Sequence, residues 1–166
     1  MVVKKLVEKN WVIEIRWPAD IQALGLIRDT LGIMLRDLQI ESCDIDKIEI
    51  SIDEACTNVI EHAYKLTADS PDACPSHIQM TIRIFKDRIH IDIVDKGVGA
   101  VLGPHKGFEN VEEYHHYTFP GEERPRGLGI HIIRKCMDEV DLSYPDDSGT
   151  CLSMVKYLTQ SRENGS

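Results

Sequence analysis

No stretch of the 166 residues approaches the roughly 20 consecutive apolar side chains that a membrane-spanning helix needs. The first residues, Met1 to Glu8, include Lys4 and Lys5 but no apolar core of a secretory leader. Basic residues are also in deficit: 19 Lys and Arg stand against 28 Asp and Glu, a formal net charge of -9. Affinity for phosphate backbones is carried by Lys and Arg, so the balance argues against general nucleic-acid or anionic-membrane binding. Cysteine is present five times, but no two form a CxxC pair, and an odd, scattered set fits neither a disulfide framework nor a zinc site. Cys56, Cys136 and Cys151 lie within apolar patterns and are expected to be small buried hydrophobes. The expectation is a cytoplasmic protein that binds neither membrane nor nucleic acid.

What is there suits one globular domain with a buried core, since 42% of residues are hydrophobic and 28% charged. No repeat or long linker divides the chain, so residues 1–166 are read as a single domain with its core at about 10–158 and a polar tail at 159–166. Trp11 to Trp17 alternates apolar and polar side chains as a strand does, and Pro18 ends it. Asp20 can cap a helix running to about Leu38. A second helix is expected from about Asp44 to Tyr64, where Ile45, Ile48, Ile52, Ala55, Val59 and Ala63 make one apolar stripe.

Leu66 to Ser76, with Pro71 and Pro75, reads as a loop. A hairpin follows: Ile78, Met80, Ile82 and Ile84 alternate with polar residues, Lys86-Asp87-Arg88 turns the chain, and Ile89, Ile91 and Ile93 alternate again. Lys96 to Arg126 has no regular periodicity and reads as a loop. A third helix is expected over Gly129 to Val140, then strands at about Asp141 to Tyr144 and Thr150 to Leu158. Half-buried strands with three helices imply an α+β fold, a two-layer α/β sandwich whose mixed, mostly antiparallel sheet is covered on one face by helices.

Three separated segments carry the chemistry. On the second helix, Glu54 and Asn58 stand four apart and share a face away from the apolar stripe. A carboxylate beside an amide oxygen can orient a nucleophile and complete a magnesium shell, though a solvated helix face would look the same. Asp95-Lys96-Gly97-Val98-Gly99 follows a strand and can aim a carboxylate into a cleft, where it could accept a hydrogen bond from an adenine amine. A plain turn would also carry this pattern. Arg126-Gly127-Leu128-Gly129-Ile130 opens a helix, whose unpaired N–H groups and positive dipole end can receive phosphate, although capping alone would explain the glycines. No G-K-[ST] follows, so this is not a Walker A loop.

Taken together, the order and spacing of these segments, with Gly149-Thr150 leading the last strand, resemble the N, G1 and G2 boxes of the GHKL, or histidine-kinase-like, ATPases. Within that superfamily the chain is most similar to the RsbW-type anti-sigma-factor serine/threonine kinases, through EACTNVIEHAYK, GLGIHIIRKCMDEV and SMVKYL. The resemblance spans about Trp11 to Leu158 and implies the Bergerat ATP-binding fold, with ATP and Mg2+. It implies Glu54 as the general base on an acceptor serine and Asn58 as the magnesium ligand. Asp95 would hold the adenine amine, with Gly97 and Gly99 shaping the pocket and Thr150 supporting it. Gly127, Leu128 and Gly129 would contact phosphate, and His62 would close the first motif near the nucleotide. Arg28 falls where related kinases contact their partners. Those partners are a sigma factor and a STAS-domain anti-sigma antagonist, and such kinases usually act as homodimers.

The segment between Gly99 and Arg126 departs from the family and is rich in rings: His105, Phe108, Tyr114, His115, His116, Tyr117 and Phe119. A basic residue near its end approaches the γ-phosphate in the family, a role open to Arg124 or Arg126. His115-His116 is a poor metal site, because adjacent residues rarely converge on one ion. Two other functions compete with the kinase: a nucleotide-gated regulatory binding module, which would have no need of Glu54, and the catalytic domain of a sensor histidine kinase. The latter is expected to carry a helical hairpin with a phospho-accepting histidine, whereas about ten residues precede the first strand.

Overall fold

Strict alternation of isoleucine with polar residues in the middle of the chain builds the sheet on which everything else rests. The computed structural model describes residues 10–68, 77–95, 128–143 and 150–159. Strand β1 is Trp11–Pro18, helix α1 Ile21–Asp37, helix α2 Ser42–Ala68, β2 His77–Ile84, β3 Arg88–Asp95, helix α3 Leu128–Cys136, β4 Glu139–Ser143 and β5 Thr150–Tyr157. The strands form one sheet in the order β1-β2-β3-β5-β4, and each of the four pairings is antiparallel. The expected sheet, mostly antiparallel, is thus antiparallel throughout the described residues.

Register puts Met80, Ile82 and Ile84 of β2 opposite Ile93, Ile91 and Ile89 of β3, with Ile78 opposite Asp95, and sets Ile93 and Ile91 opposite Leu152 and Met154 of β5. These residues are buried, and with Ile45, Ile48, Ile52, Ala55 and Cys56 of α2 they form the core. Burying each such side chain contributes about 1.5–3 kcal/mol relative to exposure. The other face of the sheet is polar and half-buried. There Ser153 Oγ donates to Asp92 Oδ1 at 2.7 Å, His90 Nε2 lies 2.7 Å from Ser153 Oγ, and Arg83 donates to Asp92 Oδ2.

Asp20 caps α1 as expected, accepting from the Gln22 N–H at 2.9 Å. The helix ends at Leu38 in a turn where Gln39 takes a left-handed φ of 59°. Gly32 sits where α1 crosses α2, since a methyl group there would come within 2.0 Å of Glu49 Oε1. Two helix boundaries differ from expectation. α2 runs on to Ala68, so the expected loop begins later than Leu66. α3 stops at Cys136 rather than Val140, and β4 starts at Glu139. The reason lies in Asp138. Its N–H donates to the Val155 carbonyl, and its Oδ2 accepts from Lys156 Nζ and the Tyr157 N–H, both at 2.7 Å. These long-range bonds pull the chain out of the helix and onto β5.

Candidate functional site

The apolar stripe of α2 faces the sheet, and this fixes where its polar side points. Ile45, Ile48, Ile52, Ala55 and Ile60 are buried, while Glu54 and Asn58, one turn apart, are half-buried on another side of the helix. Helix α3 packs against α2 there. The contact is so close that a methyl group on Gly129 would stand 2.9 Å from Glu54 Oε2, 2.9 Å from Asn58 Nδ2 and 3.4 Å from Asn58 Oδ1. What glycine provides at this position is close approach of these two side-chain tips, not a special backbone conformation. The structure therefore brings Glu54, Asn58 and Gly129 into one cluster, at the first turn of α3, where helix N–H groups lack intrahelical partners.

A second pair forms at the end of the sheet. Asp95, the last residue of β3, is in register with Thr150, the first of β5, and both lie on the helix-covered side. They are only 4% and 9% exposed, which places a carboxylate and a hydroxyl together in a shielded position. An acidic side chain kept from water in this way discriminates strongly for a hydrogen-bond donor. Asp95 also makes an interaction of its own within the protein.

The amide oxygen of Asn58, beside the gap left by Gly129, suits a hard cation such as magnesium, which takes one or two protein oxygens and keeps water and phosphate for the rest. No group of three or more His, Cys, Asp or Glu that could hold a metal by itself occurs among the described residues.

Arg28 is placed on α1, where Nη1 donates to Asp53 Oδ2 at 2.8 Å and Nη2 to Asp29 Oδ1 at 3.0 Å. These hydrogen bonds, chiefly that to Asp53, hold the guanidinium pKa above its ordinary value. Sequence patterns did not single out Asp53, although it directly precedes Glu54; its partner lies 25 positions away. Cys56 is fully buried, and burial, aided by the Asp53 charge, pushes its thiol up to about 12. It is an inert packing residue, as expected, whereas Cys136 and Cys151 are only partly buried, at the margin of the helix layer and on the polar sheet face.

The His62 side chain, Gly97, Gly99, Arg126, Gly127 and the Leu128 side chain lie outside the described residues, as do Arg124, His115 and His116. Leu128 enters only through its backbone, which opens α3.

Residues 17–156 match the model of the histidine kinase-like ATPase domain family. The chain is 34% identical to a serine-protein kinase RsbW of Staphylococcus epidermidis, with 92% of each chain covered. It is 30% identical to the serine-protein kinase RsbW of Bacillus licheniformis, over 90% of this chain and 88% of that one. Its fold resembles a crystal structure of RsbU and RsbW domains from Mycobacterium tuberculosis, with a TM-score of 0.59 and 17% identity, covering 89% of this chain and 32% of that one.

Proposed function

This chain belongs to the histidine kinase-like ATPase family, and within it to the RsbW-type serine-protein kinases; from that premise we propose that it moves the γ-phosphoryl group of ATP to a serine of a STAS-domain antagonist and binds a sigma factor when not so engaged. The observation that carries this reading is the contact of Gly129 with Glu54 and Asn58, which brings a carboxylate and an amide to the open end of a helix.

Asp95 accepts the adenine amine, with Thr150 beside it in register on β5. The first-turn N–H groups of α3 receive phosphate oxygens, and glycine at 129 lets them approach. Glu54 takes the proton of the incoming serine hydroxyl as the new O–P bond forms and the bond to the β-phosphate oxygen breaks, with ADP leaving. Asn58 supplies the oxygen that would hold magnesium, whose charge, when bound, offsets that of the phosphates. Positioning and charge neutralisation do most of the work in such a transfer, and the base adds a smaller factor.

Among the described residues no helix is long and apolar enough to cross a membrane, which is compatible with the cytoplasmic location we infer. Partner contact is assigned to Arg28, half-exposed on α1, and assembly to a homodimer, both by family resemblance. The decisive experiment is affinity capture with the full chain in ADP and then in ATP, followed by incubation of the captured protein with magnesium and ATP. The expected result is a phosphoprotein whose phosphate survives mild acid, as serine esters do. An acid-labile product would instead mean a phosphohistidine reaction. Nucleotide binding with no modified partner would leave a nucleotide-gated binding module.

A further inference from the structure

The two edges of the sheet are built differently. β4 is five residues long and presents Glu139 and Asp141 with no basic residue, so a second such strand would bring acid to acid. β1 is eight residues long, and no described strand pairs with its outer edge. A strand in that position turns alternate N–H and C=O groups away from the sheet, where they can bond another strand. Its side chains divide by face. Ile13, Ile15 and Trp17 pack against the core on the helix-covered side, while Val12, Glu14 and Arg16 stand exposed on the polar side.

Around Ile15 this strand is complementary to itself. Residues directly opposite in an antiparallel pair share a face, so a copy of β1 can pair with β1 only in registers that keep the faces matched. Centred on Glu14 or on Arg16, such a pairing opposes two like charges. Centred on Ile13 or Trp17, it leaves both charges unmatched. Centred on Ile15, it sets Glu14 against Arg16 twice on the polar side. On the helix side it then sets Ile15 against Ile15 and Ile13 against Trp17.

The helix above this edge suits the same symmetry. α1 meets α2 through Arg28, Gly32 and Arg36, which face Asp53 and Glu49. α2 lies over β3 and β5 and α3 beside β4, so the flank of α1 turned away from α2 overlooks the β1 edge. That flank carries Ala23, Ile27, Thr30 and Met34 and no charge, and Leu26 next to it is 72% exposed. With a net charge of -9, copies of the chain repel one another over most of their surfaces. This strip is neutral, because Glu14 and Arg16 cancel.

We propose that the outer edge of β1, with the uncharged flank of α1, is the contact between two copies of this chain, whose sheets join antiparallel about Ile15 into one. The inference rests on the homodimer of the reading above and gives it a surface. A two-fold axis perpendicular to the sheet keeps both polar faces on one side and both helix layers on the other.

Sedimentation of the full chain over a micromolar range tests this with single and paired charge reversals. On β2, Glu14 and Arg16 are opposite uncharged Thr81 and Gln79, so a reversal leaves the pairing within the protomer undisturbed. Far-ultraviolet circular dichroism like that of the native chain confirms that each variant is folded. Glu14→Arg or Arg16→Glu sets like charges together twice across the axis and should raise the dimer dissociation constant by about tenfold or more. Glu14→Arg combined with Arg16→Glu restores opposite pairs and should return the constant close to its native value. A dimer indifferent to the single reversals, or a paired reversal as weak as either alone, would overturn this surface and leave the homodimer standing. A native chain that sediments as a monomer throughout would overturn both.

Discussion

The two halves of the candidate site are held in different ways. Asp95 and Thr150 belong to neighbouring strands, with β2 hydrogen-bonded along the far side of β3, so backbone ladders fix their separation. Glu54, Asn58 and Gly129 belong to two helices that meet through side chains and one missing methyl group. A sheet register changes only by whole steps that turn every side chain to the other face. A helix contact can shift by fractions of an ångström. The half assigned to recognition is therefore rigid, and the half assigned to chemistry is adjustable, so substitutions should separate binding from turnover.

The sharpest test of that division is Glu54→Gln, which keeps shape and removes the basic carboxylate. ATP affinity by calorimetry should stay near native while phosphotransfer falls by roughly 10²–10⁴-fold. Gly129→Ala probes the helix contact directly. The new methyl group meets the tips of Glu54 and Asn58, which can swing aside, so the fold should survive while a misplaced base lowers turnover by about 10²-fold. Because alanine favours helix over glycine by about 1 kcal/mol, melting temperature should hold or rise as activity drops. A variant that loses both would mean that the helix contact is structural.

On the sheet side, Asp95→Asn should weaken ATP binding by about 10–100-fold, the loss of a charge-assisted hydrogen bond worth about 1.5–3 kcal/mol. Unchanged affinity would remove Asp95 from the nucleotide site. The smallest effect belongs to the polar sheet face, away from both halves. Burial alone would raise the Asp92 carboxyl, but hydrogen bonds from Arg83 and Ser153, with the charges of His90 and Arg83, outweigh it and hold the pKa below the ordinary value. A carboxylate depressed in the folded state stabilises above its unfolded pKa of about 3.9 and loses that contribution as pH falls. Asp92→Asn should therefore flatten the loss of stability as pH falls below about 5, by less than about 1 kcal/mol, with phosphotransfer at pH 7 unaffected.

Local pattern exposed much of this molecule. The hairpin of β2 and β3 was plain because isoleucine at every second position has one physical meaning, and Asp20 before an apolar period marks a helix start. The pairing of Glu54 with Asn58 followed from helical spacing, and their relation to Asp95 and Gly129 from family likeness rather than from any local rule. What stayed hidden was set by distant partners. Met137 and Val140 continue the period of α3, yet the chain leaves the helix because Asp138 finds bonding groups on Lys156 and Tyr157, 18 and 19 positions on. Arg28 looked like a solvated cation with a partner role, and no periodicity shows that it reaches Asp53.

Asp138 also governs how α3 can move. Its carboxylate ties the C-terminal end of the helix to β5 through Lys156, which is buried, and through the Tyr157 backbone. The nine-residue helix is about 13 Å long, and Gly129 sits at its other end. With that end as fulcrum, the helix is a lever: a tilt of about 4–5° carries Gly129 through roughly 1 Å. That is enough to open or close the gap beside Glu54 and Asn58, so a modest change in tilt at the anchored end becomes a switch in geometry where phosphate would sit.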